Sequence, residues 1–362
     1  MIEKSVSLDE FVAEYQFWGD WEVAYTDKTH LQQDEANEYV KLGSISIDYN
    51  ESASQTYPIL PFTFQPVSGE QIENRFSELK DGEKQAGRAR KIILDQLTDS
   101  LLRSGLVRPK LRLLKDGGIQ DGFREIIEEL SKHQYLILFV DTGAIRRGCV
   151  SFLHKILPKV SIWTVVPVFV MVEVQRQIGE LNKIFRKIEE KQDKSHPGKC
   201  SILEQRPQVS CVSRELNYIK QWRPVEILTT LPEMLGQSNG QSKVDRLIIE
   251  SVKNLKRDRG LHHGVYLMTS DKDMASLSAL ENVNSLYIGT SSLPNEVKSI
   301  RFDSQNRTFI LSPVHYLLWD LAQVFSTIRV SNAILNRQYE LVYYSNARDG
   351  FFAHDIMEIR ES

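Results

Sequence analysis

Cysteine is scarce in this chain: Cys149, Cys200 and Cys211 are the only three among 362 residues. They cannot staple a chain of this length, so a reducing, cytoplasmic setting is expected. No paired C-x2-C occurs, and His196 with Cys200 and Cys211 falls one ligand short of a zinc site. Long apolar runs are missing too. The longest, YLILFV (135–140) and VVPVFVMV (165–172), fall far short of the roughly 20 residues that cross a bilayer, so no membrane is expected. The opening MIEKSVSLDEF carries acids where a signal peptide has its apolar core, which points to a non-secreted protein. Neither sign of charge dominates. A formal net charge of −3 excludes a strongly basic nucleic-acid binder and leaves room for a local basic groove. A Gly-rich G-x4-G-K-[ST] phosphate loop is absent, so nucleotide hydrolysis of that kind has no support in the sequence.

What is present is alternation. YLILFV reads as a strand buried on both faces, and AIRRGCVSFLHKILP (144–158) behind it reads as one amphipathic helix. WTVVPVFV (163–170) is a second strand that runs into the long charged helix MVEVQRQIGELNKIFRKIEEKQDK. Residues 194–216 lose all periodicity and read as an excursion. PVEILTT (224–230) is a candidate third strand, and SKVDRLIIESVKNLKRDRG (242–260) is a helix with a basic last turn before Gly260. HGVYLMTSDKDMASLSAL (263–280) repeats the first design of apolar run, acids and helix, and NSLYIGT (284–290) closes the series. Strand–helix alternation of this kind predicts an α/β core with a central parallel sheet.

Around that core the pattern changes. Residues 1–120 read as a mixed α+β region, with strands at WEVAYT and KLGSISIDY and helical stripes over 68–79 and 92–102. RSGLVRPKLRLLK (103–115) is basic throughout, a strand or linker first and a nucleic-acid surface second. Helix FREIIEELSKH (123–133) follows, with Glu128 and Lys132 as i, i+4 partners. The core spans 121–292 with an insertion near 194–240. Residues 293–362 form a β-α-β appendage whose helix is expected to run from Ser312 to Leu335. The flanks are candidates for dimerisation, substrate capture or an inhibitory partner.

Acids fall at comparable places in the alternation. Asp141 follows the first strand, Glu173 the second, Asp245 opens the third major helix, and Asp271 and Asp273 follow the fourth strand. In a doubly wound sheet, strand ends and helix starts meet at one edge, where ligands bind. Several carboxylates there repel one another unless a cation joins them, and oxygen-only ligands select hard ions such as Mg2+ or Mn2+. Each acid also has a simpler reading. Asp141 and Asp271 fit N-caps, and Asp245 fits a solvated first-turn acid favoured by the helix dipole.

LILFVDTGAI, VVPVFVMVEVQRQI, SKVDRLIIESV and VYLMTSDKDMA, in that order, resemble the four motifs of the PIN domain (PilT N-terminus-like), a family of metal-dependent nucleases. The resemblance covers roughly 135–290, and T-x-D-x-D after a strand is its closest part. It implies a PIN-like α/β/α sandwich and an endoribonuclease acting on single-stranded RNA, with DNA as the other substrate. Asp141, Glu173, Asp245 and Asp271 become catalytic metal ligands and Asp273 a fifth contributor. Thr142, Arg146, Arg147, Arg176, Arg246 and Lys272 become substrate contacts, the cations gripping phosphates. The long gap between the second and third motifs departs from the pattern.

Two other readings accompany it. One is a PIN-like scaffold or RNA-binding protein without catalysis. The other takes D-T-G-A for the aspartic-protease signature, although those enzymes are all-β and no second D-T-G exists in this chain.

Overall fold

A computed structural model describes residues 2–26, 39–47, 61–77, 83–115, 117–191, 197–222, 225–228, 241–260, 264–290, 292–303, 308–311, 314–343 and 356–361. In chain order the first elements are β1 (Ile2–Val6), α1 (Leu8–Glu14), β2 (Gly19–Thr26), β3 (Tyr39–Ile47), β4 (Phe62–Pro66), α2 (Gly69–Ser77) and α3 (Glu83–Arg103). Next come β5 (Lys110–Lys115), β6 (Gly118–Asp121), α4 (Phe123–Ser131), β7 (Tyr135–Val140), α5 (Thr142–Arg146), α6 (Cys149–Ile156), β8 (Ser161–Pro167) and α7 (Val168–Lys191). Then follow α8 (Pro197–Trp222), β9 (Val225–Leu228), α9 (Gln241–Asp258), β10 (Val265–Thr269), α10 (Lys272–Leu280) and β11 (Ser285–Gly289). The last are β12 (Val297–Lys298), β13 (Ile300–Asp303), β14 (Thr308–Leu311), α11 (Val314–Phe325), β15 (Thr327–Asn332), β16 (Arg337–Tyr343) and β17 (Met357–Glu361). The chain divides into two compact units, 108–179 with 211–291 and 1–107 with 180–210 and 292–362.

The unit of 108–179 and 211–291 holds a seven-stranded sheet in the order β6-β5-β11-β10-β7-β8-β9. Its five strands β11, β10, β7, β8 and β9 run parallel, while β5 and β6 add an antiparallel edge. The sheet is therefore mixed, not wholly parallel. The basic stretch before residue 121 supplies β5, which lies between the edge strand β6 and β11. Cations on and beside it are engaged nearby: Arg112 pairs with Asp121, Lys115 with Glu129, and Arg108 lies over the Phe123 ring. That uses much of the charge a nucleic-acid surface would need.

The interior follows from the apolar runs. Leu136 to Val140 and all of β10 are buried, as strands covered on both faces should be. The helix expected over 144–158 is two helices, α5 and α6, separated by Gly148 in the left-handed region at φ 66°. A glycine reaches that conformation without steric cost, so the break belongs where the residue is. Helix α7 starts at Val168, so β8 ends at Pro167, three residues before the end of the strand expected over 163–170. The excursion expected over 194–216 falls instead on the 26-residue helix α8, with Pro207 inside it. On α4, Lys132 pairs with Glu129 while Glu128 takes Arg124, replacing the expected Glu128–Lys132 pair.

The other unit is built on an eight-stranded sheet in the order β1-β17-β16-β15-β2-β3-β4-β12, with β13 and β14 as a separate hairpin. Residues from both ends of the chain share this sheet, because β1 pairs with β17 and β2 with β15. The helix expected to reach Leu335 stops at Phe325. Ser326 turns at φ 73°, and Thr327, Ile328 and Val330, β-branched residues suited to a strand, enter β15 instead.

Candidate functional site

Within the parallel strands the chain order is 3-2-1-4-5, so successive connections leave β7 in opposite directions toward β8 and β10. Such a reversal opens a crevice at the carboxyl ends of the two central strands, where open α/β sheets bind ligands. Asp141 and Asp271 lie at the ends of these two strands, and the Asp141 N–H donates to the Met268 carbonyl at 3.1 Å.

Asp141 is both an N-cap and a buried acid. Its Oδ1 accepts from the Ala144 N–H at 2.5 Å to start α5, and its Oδ2 accepts from the Thr269 hydroxyl. Burial pushes its carboxyl up to about 6, against hydrogen bonds from Thr269, Ala144 and Ser270, with the Asp271 charge adding to the rise. Thr269, fully buried, also accepts from the Asp271 N–H at 2.9 Å, so one hydroxyl ties the two strand ends together. Asp271 is exposed and caps α10, its Oδ1 accepting from the N–H groups of Asp273 and Met274 at 2.7 and 3.2 Å.

Glu173, half-buried on α7, is held by two neighbours. The Thr142 hydroxyl donates to its Oε2 at 2.6 Å, and Gln177 Nε2 to its Oε1 at 3.4 Å. Asp245, half-buried on α9, is pushed up to about 6 first by burial and then by the charges of Asp271 and Glu173. Acids from four separate segments therefore share one electrostatic neighbourhood. Asp273 is exposed in the first turn of α10.

This donor set is oxygen-only and mutually repelling, the chemistry that suits a hard divalent cation. Among the described residues, no three Asp, Glu, His or Cys side chains stand close enough to enclose an ion. Two of the acids instead direct an oxygen onto their own helix N-termini, and Glu173 is engaged by Thr142.

The expected substrate contacts separate. Thr142 is buried and turned to Glu173. Arg147 donates Nη1 to the Ile288 carbonyl at 3.1 Å, a contact with the sheet, and Arg146 is half-buried. Arg176, Arg246 and Lys272 are exposed, and the charge of Arg246 helps hold the Glu281 carboxyl low, after Lys253. Sequence reasoning missed Thr269 as a bridge and Gln177 as a neighbour of Glu173. The i, i+4 spacing of Glu173 and Gln177 on one helix was the only signal available for the second.

The D-T-G-A segment leads from a parallel strand into a helix, which removes the all-β reading. Of the zinc candidates, His196 and the Cys200 side chain lie outside the described residues, and Cys211 is buried and outside any disulfide. Among the described residues, no helix is long and apolar enough to cross a membrane.

No protein-family model matches the chain, and no curated protein matches it. Among solved structures it is similar to a domain of a functionally unknown protein from Methanocaldococcus jannaschii DSM 2661, at 13% identity over 44% of this chain and 95% of that one, with a TM-score of 0.29. A likeness at that score carries no weight for fold or function. The chain is thus described by its own site: an α/β unit whose switch point gathers acids from four segments.

Proposed function

We propose that this chain is a divalent-metal-dependent nuclease with a PIN-like α/β/α sandwich, hydrolysing phosphodiester bonds in single-stranded RNA. The observation that supports it is electrostatic: Asp141 and Asp245 are pushed up to about 6 by burial and by the other acids at the switch point. Keeping such a group ionised is costly, and a cation relieves that cost. Asp141, Glu173, Asp245 and Asp271 would hold Mg2+ or Mn2+, with Asp273 beside them. When bound, such an ion lowers the pKa of water and stabilises charge on a phosphodiester under attack.

The chain's own residues supply the rest. Thr269 and the Ala144 N–H orient Asp141, and Thr142 and Gln177 orient Glu173. Lys272 and Arg246, both exposed near these acids in sequence, are the side chains we assign to substrate phosphates. Arg147 is not among them, because its guanidinium is anchored to Ile288.

The second reading, a binding protein that keeps the acids without cutting, draws on the absence of a closed ligand group among the described residues. Labelled single-stranded RNA incubated with Mn2+, with and without chelator, separates the two. Cleavage that needs Mn2+ and is lost in Asp141→Asn is expected. Intact RNA with the wild-type protein, or equal cleavage by Asp141→Asn, defeats the nuclease reading.

A further inference from the structure

We infer that the amino ends of the parallel strands form a surface for single-stranded RNA, where unpaired bases stack on Tyr135 beside the Trp163–Arg259 pair. Lys159, Lys256 and Arg259 meet the phosphates there. The inference deepens the single-stranded-RNA reading above and needs no ion. Tyr135 opens β7, and every residue after it in the strand is buried, yet Tyr135 itself is 48% exposed. Its ring stands 6.4 Å from that of Trp163 on β8, tilted by 41°. Trp163 pairs with Ile137 and Ser161 with Tyr135, so both rings share one face of the sheet. The Arg259 guanidinium lies 4.9 Å over the Trp163 ring, a cation–π contact that holds a charge against the aromatic pair.

Charge at this edge has the sign that RNA requires. Helix α9 leads into β10, so its last turn lies at the amino ends of the strands. The Arg259 N–H donates to the Leu255 carbonyl at 3.1 Å, which keeps Arg259 in helical register three positions after Lys256. Lys159 is exposed two residues before Ser161, whose N–H donates to the Gln134 carbonyl at 3.0 Å, next to Tyr135. Arg257 pairs with Asp258 at 3.2 Å, so those two add no net charge. The acids of the switch point lie elsewhere: Asp141 follows the far end of β7, roughly 20 Å from Tyr135 at the rise of a strand. Cations at a helix end also complement its dipole, which accounts for Lys256 and Arg259 without a ligand. It does not account for an exposed tyrosine ring beside a half-buried indole. Aromatic faces with cations alongside are what single-strand binders offer, because every unpaired base has a face to stack.

The test is fluorescence anisotropy of a labelled oligouridine titrated with the purified full chain in EDTA, at several salt concentrations. Tyr135→Ala is expected to weaken binding about tenfold, and Tyr135→Phe, which keeps the ring, should bind like wild type. Lys159→Gln, at an exposed site, should lower the slope of log affinity against log salt by about 0.7, the loss of one phosphate contact from a single strand. Arg259→Gln should lower affinity and slope together. Unchanged affinity in Tyr135→Ala, or an equal loss in Tyr135→Phe, overturns the stacking surface and leaves RNA as a substrate of the acid edge standing. Unchanged slopes in both Lys159→Gln and Arg259→Gln overturn it as well. So does a duplex bound as tightly as the single strand, because paired bases offer Tyr135 no face. Wild-type protein that binds no oligouridine in EDTA removes this surface, while cleavage with Mn2+ tests the nuclease reading separately.

Discussion

At the scale of single residues, Asp141 joins two roles that compete in the sequence. One oxygen caps a helix, while the other meets Thr269 at the switch point. Its folded-state pKa of about 6 stands above the roughly 3.9 of an unfolded aspartate. The folded chain therefore holds its proton more tightly, and the stability linked to that proton is full below pH ~4 and lost as pH rises through about 6. Asp245, raised in the same direction to about 6, contributes with the same sign. In chelator, the unfolding free energy from urea titrations should fall between pH 4 and 7, by up to about 3 kcal/mol from Asp141. Asp141→Asn should flatten that slope and be at least as stable as wild type at pH 8, because asparagine still caps the helix. An unaltered slope would falsify the assignment of this titration to Asp141.

At the scale of elements, the junction of β7 and α5 depends on a close approach. A Cβ on Gly143 would lie 2.1 Å from Ser270 Oγ and 3.4 Å from Ser270 Cβ. Gly143→Ala should therefore turn the Ser270 hydroxyl to another rotamer and lower stability by about 1 kcal/mol or less, offsetting the gain in helix propensity. In a Ser270→Ala background the hydroxyl is gone, and the same change should become neutral or stabilising. Equal effects in both backgrounds, measured by urea unfolding, exclude the contact as the cause. Elements with strong periodicity are legible in the sequence: β7, β10, α7 and α9 lie where apolar spacing puts them. Helix α8 is not, because Pro207 and scattered polar residues blur its stripe and neighbouring elements must supply the order. The end of α11 is also hidden, since Ser312 to Leu335 is apolar enough for a buried helix or a buried strand.

At the scale of the whole molecule, both ends of the chain are tied into one eight-stranded sheet. That unit also contains a buried ion pair. Arg103 on α3 meets both oxygens of Asp320 on α11, with side chains only 1% and 2% exposed. Removing one member strands the other charge out of water. Asp320→Ala should destabilise the protein by about 3–5 kcal/mol, whereas replacing both residues with apolar ones should recover much of the loss. Calorimetry on the two variants checks this, and a mild effect from Asp320→Ala would mean that water reaches Arg103.

The sequence by itself determined the alternation of strands and helices and which acid follows each one, because apolar period and capping chemistry are local properties of the chain. Tertiary structure alone decided the rest. The 3-2-1-4-5 strand order, set by pairing between distant segments, brings Asp141 and Asp271 to neighbouring strand ends. The bridge through Thr269 and the contact of Thr142 with Glu173 join residues 128 and 31 positions apart, beyond the reach of any local pattern. The raised carboxyls of Asp141 and Asp245 arise the same way, since burial and neighbouring charge exist only once the chain has folded.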